Sequence, residues 1–347
     1  MNQFPLPDGL TSVKVSVIDS TTRMSVPASH LLPTTDGLEA ITLKLPSYSF
    51  LIQHSSGRAL LFDLGLRKDY WKHTGIPTRA PPGWKIDVDK NISDILEENS
   101  VPLVDIEAVI WSHHHADHVG DVTMFPSSTK VIVGPKFKEH YVSSSLERTP
   151  DLNLLAENMK GGRELVEVSF DDAEKGLKVG PSRAYDYFGD GSFYLLDSPG
   201  HTHTHMAALA RVTTSPEDAS RNSFILMAGD TCHFPGQLRP TVNRPIPDEC
   251  PTVQSLCPGV LLQRLLERSD SGPLFGVDEK NVVDFIQAQK SVQRLQSFDA
   301  MDNVWVIMAH EQALLDKIEF FPASLNDWKE KGYSDKVRWG FLKALEK

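Results

Sequence analysis

The sequence predicts a mixed α/β fold, and three observations predict it. Short apolar runs each end at a histidine or an aspartate, helical spacing recurs between and after those runs, and the residues able to carry chemistry are spread from Asp63 to His310. The 347 residues would suffice for two average domains, but one domain over 1–347 assembles so scattered a set most economically.

The elements follow in chain order. Val13, Val15 and Val17 alternate with Lys14 and Ser16, and Tyr48, Phe50 and Ile52 alternate with smaller or polar neighbours, which predicts two half-buried strands. A third strand over 58–63 ends in Asp63-Leu64-Gly65. Residues 67–89 hold Tyr70, Trp71, Trp84 and the Arg79-Ala80-Pro81-Pro82-Gly83 turn run, too long for a simple connection. Residues 91–99 place Ile92, Ile95 and Leu96 on one helical face and stop before Val101-Pro102. The apolar run 106–111 suits a buried strand, and Leu165, Val166, Val168 and Phe170 suit a later one.

Three further runs each deliver one polar residue. Residues 193–196 lead through Ser198-Pro199-Gly200 to His201, 224–229 lead to Asp230, and 304–309 lead to His310. Between the last two, 236–300 is a second insertion, proline-rich at first, then helix-like at 260–267. Phe285, Ala288, Val292 and Leu295 keep helical spacing within 282–295. Both insertions suit a substrate lid; a peripheral decoration or a homodimer contact is the alternative. Ser334 is expected to cap a last helix over 335–346, with Val337, Phe341 and Leu342 inward.

The strongest signal is Ser-His-His-His-Ala-Asp-His at 112–118, in which His113, His115, Asp117 and His118 spell His-x-His-x-Asp-His. Three imidazoles and a carboxylate so close together cannot all enter an apolar core, and that donor set suits zinc and its neighbours. His114 lies between two of them and points away if the segment is extended. Taken singly, His201 and His310 would read as ordinary histidines and Asp230 as a Gly-Asp-Thr turn residue. Their placement at strand ends behind the cluster favours ligands.

With Asp63-Leu64-Gly65, the 113–118 cluster, His201, Asp230 and His310 in this order, the chain resembles the metallo-β-lactamase superfamily of hydrolases along nearly its whole length. The resemblance implies a four-layered αββα sandwich with a metal pair at one edge. It implies that His113, His115 and His201 hold one ion, Asp117, His118 and His310 the other, that Asp230 bridges them, and that Asp63 orients ligands. Two Zn2+ are expected, with Fe or Mn as the other divalent candidates. Thr204 stands where the family often has glycine, with His205 matching a second family histidine. His233 stands where the homoserine-lactone lactonases of the superfamily carry a tyrosine that contacts the substrate carbonyl. A histidine there offers a hydrogen bond or a proton to the leaving group; otherwise it is a surface or supporting residue. Residues 232–240 look like the larger lactonase-like members of filamentous fungi.

The implied activity is opening of a lactone, lactam or cyclic carbamate in a small metabolite, with Asp117, Asp230 and His233 as the catalytic residues. A thioesterase is the runner-up, and a mononuclear iron sulfur dioxygenase or an inert binding module belong to other classes. An intact Asp230 and no cysteine close behind the cluster disfavour antibiotic hydrolysis; an intact His115 disfavours oxygen reduction of the flavodiiron kind. The net charge of −11 and the lack of any lysine or arginine run exclude nucleic acid as a partner. No apolar stretch is long enough for a membrane helix, and residues 1–9 show no secretory pattern. Three cysteines, Cys232, Cys250 and Cys257, suit reduced thiols in a cytoplasmic protein.

Overall fold

Strand-forming runs in the first half of the chain build one sheet, and those in the second half build another. The computed structural model describes residues 4–33, 35, 37–74, 83–142, 155–159, 161–171, 176–218, 221–247, 265 and 272–345. The turn residues 79–82, Cys250, Cys257 and all of the expected 260–267 helix except residue 265 lie outside them. The first sheet contains β1 (Val13–Pro27), β2 (Thr42–His54), β3 (Ala59–Phe62), β4 (Lys85–Asp87), β5 (Ile106–Ile110), β6 (Lys130–Val133) and β7 (Leu165–Glu167), in the order β4-β1-β2-β3-β5-β6-β7. The second contains β8 (Lys178–Val179), β9 (Ser182–Asp186), β10 (Phe193–Asp197), β11 (Met206–Thr213), β12 (Ser223–Met227) and β13 (Val304–Ile307), in the order β13-β12-β11-β10-β9-β8.

The sheets face each other through one apolar layer. Val13, Val15, Val17, Phe50 and Ile52 from the first meet Phe193, Leu195, Ile225, Trp305 and Ile307 from the second. Helices cover the outer faces: α1 (Tyr70–Thr74), α2 (Ile92–Glu98) and α3 (Ala116–Val119) lie against the first sheet and α4 (Phe285–Asp299) against the second, while α5 (Tyr333–Arg338) sends Tyr333 and Val337 into the layer between them. Ile92 and Leu96 of α2 pack on Leu61, Val109 and Val131. Val292, Leu295 and Phe298 of α4 pack on Leu209, Leu226 and Val306. These are the four αββα layers that the family resemblance implied. Among the described residues no helix is long and apolar enough to cross a membrane.

Three expectations need correction. β2 is not half-buried: from Leu45 to Ile52 every residue is buried. Its alternate face keeps serines because they bond into the site, Ser49 Oγ donating to the Asp63 carbonyl at 2.6 Å and Ser47 Oγ to the Asp117 carbonyl at 2.7 Å. The 282–295 helix begins later, at Phe285, because Asp284 caps it by accepting from the Gln287 N–H at 2.9 Å. The last helix begins earlier, at Tyr333. Gly332, at φ 62°, supplies its left-handed N-cap, so Ser334 lies inside the first turn, and a 3-10 segment, Gly340–Leu345, replaces the rest. Val337, Phe341 and Leu342 are nevertheless buried.

Candidate metal centre

β3 runs parallel to β5 and β12 parallel to β13, so the residues just beyond their C-terminal ends gather at one edge of the sandwich. Asp63 leaves β3 at φ 59°, unfavourable for a non-glycine residue. Hydrogen bonds hold it there: Asp63 Oδ1 accepts from the Ser112 N–H at 2.7 Å, and Oδ2 accepts from Ser112 Oγ at 2.7 Å and from His118 Nδ1 at 2.8 Å. A side chain at Gly120, φ 51°, would put Cβ 2.4 Å from that of Leu64. Glycine lets the loop after α3 close against the Asp63 loop.

The same network sets the tautomers. Ser112 Oγ spends its hydrogen on Asp63, so it accepts from His113 Nδ1 at 3.0 Å. His201 Nδ1 donates to the Asn281 carbonyl at 3.2 Å, and His310 Nδ1 to the Pro46 carbonyl at 2.7 Å. Outer hydrogen bonds of this kind leave the opposite ring nitrogen with its lone pair free. The Nε2 atoms of His113, His118, His201 and His310 therefore face one another as acceptors.

Their separations match a cation's shell. His113 Nε2 is 3.1 Å from His201 Nε2, and His115 Nδ1 is 2.9 Å and 3.0 Å from those two atoms. Ligands around a tetrahedral zinc with bonds of about 2.0–2.1 Å lie roughly 3.3 Å apart. Asp230 reaches both halves: Oδ1 is 3.2 Å from His118 Nε2 and 3.1 Å from His310 Nε2, while Oδ2 is 3.7 Å from His201 Nε2. Asp117 Oδ2 lies 3.5 Å from His310 Nε2 and 3.8 Å from His118 Nε2. Two groups result, His113, His115, His201 and Asp230 in one and Asp117, His118 and His310 in the other, each with its ligand atoms within 4.8 Å. His118 Nε2 and Asp230 Oδ1 are buried and make no hydrogen bond, as donors awaiting a cation would be.

The electrostatics agree. Burial, then neighbouring imidazoles, push His113 and His201 well below the usual histidine value, so both are neutral. Burial acts against charging His118 too, but Asp230, Asp117 and Asp63 outweigh it and raise its pKa. The centre thus stabilises positive charge between the two aspartates.

The remaining histidines divide cleanly. His233 Nε2 is 3.6 Å from Asp230 Oδ2 and its ring 4.7 Å from that of His201, which puts it at the centre rather than on the surface. His114 turns away and stacks on Tyr141 at 4.0 Å; burial lowers its pKa to about 2. His205 is occupied by backbone at both nitrogens, Nδ1 with the Ser198 carbonyl at 3.0 Å and Nε2 with the Asp230 N–H at 2.9 Å. It holds the Asp230 loop. Gly134 lets the backbone at Thr204 come close, since a Cβ there would meet the Thr204 carbonyl oxygen at 2.0 Å. Cys232 is buried 3.7 Å from the Met308 sulfur, and burial raises its pKa. Sequence reasoning missed Ser112, Pro46 and Asn281; of these only Ser112, adjacent to the cluster, left any signal.

Above the centre lies a cavity of about 480 Å3. His115, Asp117, His201, Asp230, His233 and His310 form its polar floor, and Met24, Leu31, Leu45, Leu66, Trp84 and Ile86 its apolar wall. Both insertions reach it, the first through Trp84 and Ile86, the second through residues 280–283. The pieces interlock: Trp84 Nε1 donates to His30 Nδ1 at 2.8 Å, and Asn281 Nδ2 donates to the His30 carbonyl at 2.9 Å.

Comparison with known proteins gives the same placement. The model of the metallo-beta-lactamase superfamily matches residues 43–208. The chain is 39% identical over 358 residues to Gamma-lactamase FDB1 of Fusarium pseudograminearum, covering 97% of this chain and 83% of that one. It is 38% identical over 349 residues to cytochrome P450 monooxygenase mpaDE' of Penicillium brevicompactum, covering 98% of this chain but 38% of that longer protein. A crystal structure of a B. thuringiensis AiiA variant with N-decanoyl-L-homoserine at its active site superposes with a TM-score of 0.59. That match covers 91% of this chain and all of that chain at 16% identity, a likeness of fold. By motif, fold and a relative matched over 97% of this chain, the chain belongs to the metallo-β-lactamase superfamily and is a metal-dependent hydrolase among its lactonase- and lactamase-like members.

Proposed function

We propose that this chain opens a cyclic ester or amide, a lactone, lactam or cyclic carbamate, in a small metabolite, using two zinc ions. The observation that carries the reading is the convergence of free imidazole lone pairs on two points, with Asp230 between them, at the floor of a cavity that has an apolar wall. On this reading His113, His115 and His201 would hold one ion and Asp117, His118 and His310 the other, with Asp230 within reach of both groups. Neutral imidazole with carboxylate is a set that zinc favours and that iron or manganese also accepts. Bound there, divalent ions supply carbonyl polarisation and a water acidic enough to ionise near neutral pH.

The chain's own groups supply the rest. The wall from Met24 to Ile86 takes the apolar part of the ring and excludes water. Asp117 and Asp230 accept the proton that the attacking water gives up. His233, made neutral by burial, donates its N–H as a hydrogen bond to the substrate oxygen, and in a lactam the proton taken up by the aspartate is the one passed to the departing nitrogen, which cannot leave without it. Ser198 needs no catalytic role, since its hydroxyl is bonded to Thr231 Oγ1 at 2.9 Å. The activity in the Fusarium relative's name supports the cyclic amide in particular. The reading takes the chain as one catalytic domain in the cytoplasm, alone or as a homodimer, with a small-molecule substrate and neither nucleic acid nor membrane as partner.

Proton release by zinc-loaded protein against lactones, γ-lactams, cyclic carbamates and acyl thioesters, with a chelated control, tests it. Chelator-sensitive turnover of ring substrates alone is expected. Turnover of thioesters alone would replace it with the thioesterase, and one iron per chain with oxygen uptake would replace it with the dioxygenase.

A further inference from the structure

A second, larger cavity of about 840 Å3 lies beside the metal centre. Its lining shares Leu45 and His310 with the cavity above the ligands, so the two spaces meet at one metal-facing histidine. Phe234, Trp339 and Phe341 give it an aromatic wall. Four lysines, Lys44, Lys317, Lys336 and Lys343, stand around it against two aspartates, Asp316 and Asp335. This basic excess belongs to a chain with a net charge of −11.

These lysines are not accounted for by ion pairs. Among the described residues, every ion pair of a lysine involves others: Lys68, Lys72, Lys90, Lys130 and Lys331. Lys44 Nζ donates to Ser25 Oγ at 2.8 Å, and Lys336 Nζ stands 5.5 Å from the centre of the Tyr333 ring. The lysines come from separate elements, β2, the loop after His310, α5 and the 3-10 segment that follows it. They therefore surround a space rather than line one solvated helix face. An apolar hollow with a few charged groups at its rim is the usual form of a small-molecule site, and unpaired ammonium groups sharing it favour an anion.

We infer that this cavity is a second ligand site, for a small organic carboxylate with an aromatic or alkyl body. The body packs on Trp339, Phe341 and Phe234, and the carboxylate meets the lysine rim. A ligand seated there reaches His310, which lines both spaces, without occupying the catalytic cavity. The site stands independently of the reaction proposed above.

The test is calorimetric titration of the full-length, zinc-loaded protein with phenylbutyrate, with phenylbutanol as the neutral counterpart. Saturable binding of the acid, about tenfold tighter than the alcohol and weakened by added salt, is expected. The double variant Lys336→Glu with Lys343→Glu should lose that preference, and Lys44→Glu, on a different element, should weaken it in the same direction, with circular dichroism and melting confirming the fold. Asp117→Ala and chelation should leave the binding intact. Equal affinity for acid and alcohol, no binding at all, or loss on chelation without loss in the lysine variants would each overturn the inference, the last by placing the carboxylate on the metals. None of these results bears on ring opening, which the turnover panel measures separately.

Discussion

Two clusters of buried polar groups lie close together in this molecule, and they are built on opposite terms. Arg239, Asp299, Glu311 and Arg338 are all at most 4% exposed. Arg239 pairs with Asp299 at 2.9 Å and Glu311 at 3.0 Å, and Arg338 with Asp299 at 2.6 Å. Two guanidinium groups face two carboxyl groups, and the set supplies its own counter-charges. The neighbouring cluster of His113, His115, His118, His201, His310, Asp117 and Asp230 turns ring nitrogens and carboxylates toward common points, and among the described residues no arginine or lysine pairs with its two aspartates. A self-neutral cluster is architecture, whereas a cluster that lacks the opposite charge is a receptor. His310 and Glu311, adjacent in sequence, belong one to each.

Substitutions that erase this contrast should have the largest effects. Asp230→Ala removes the carboxylate that spans both ligand groups, and turnover should fall at least about a thousandfold. Initial rates, with circular dichroism to show an intact fold, check this; substantial residual turnover would sink the shared role of Asp230. Arg239→Met leaves two buried carboxyl groups poorly compensated and should cost about 3–5 kcal/mol of stability, read from urea unfolding. Burial alone would raise the pKa of Asp299, but Arg239 and Arg338 override it and hold it at about 2. Its contribution to stability is therefore complete above the unfolded carboxylate value of about 3.9 and lost as pH falls toward 2. Arg239→Met should accordingly unfold at a higher pH than the parent on acid titration.

Smaller effects sharpen the comparison. Asp63→Asn keeps the size of the side chain but weakens its hold on His118 Nδ1 and should reduce zinc affinity about 10–100-fold, measured by competition with a chromophoric chelator. Unchanged affinity would mean that His118 is oriented by packing alone. At the low end, His114→Phe should change neither zinc stoichiometry nor turnover, because that ring stacks on Tyr141 outside both ligand groups. A loss of metal in this variant would contradict the division between His114 and its neighbours.

The receptor was legible in the sequence because apolar strands stop abruptly at polar residues, and seven such residues in family order leave few arrangements. The architecture was less legible. Arg239, Asp299, Glu311 and Arg338 are far apart in the chain and have no periodic signature, and only folding shows that they neutralise one another. Asn281 acts on His201 through its backbone carbonyl, a group every residue carries. Ser47 and Ser49 read as the wet face of a strand, yet they are dry because their hydroxyls bond to carbonyls of the site loops. The Ser334 helix misled for a related reason: a serine followed by a helical pattern suggests a cap, but Gly332 had already set the backbone turn.

The short stretch 280–283 walls the catalytic cavity while its Asn281 carbonyl fixes the His201 tautomer. Selection on this stretch for a new substrate acts at the same time on retention of the metal. Remodelling that displaces its backbone would therefore loosen His201, whereas side-chain changes that leave the carbonyl in place would alter the cavity wall alone.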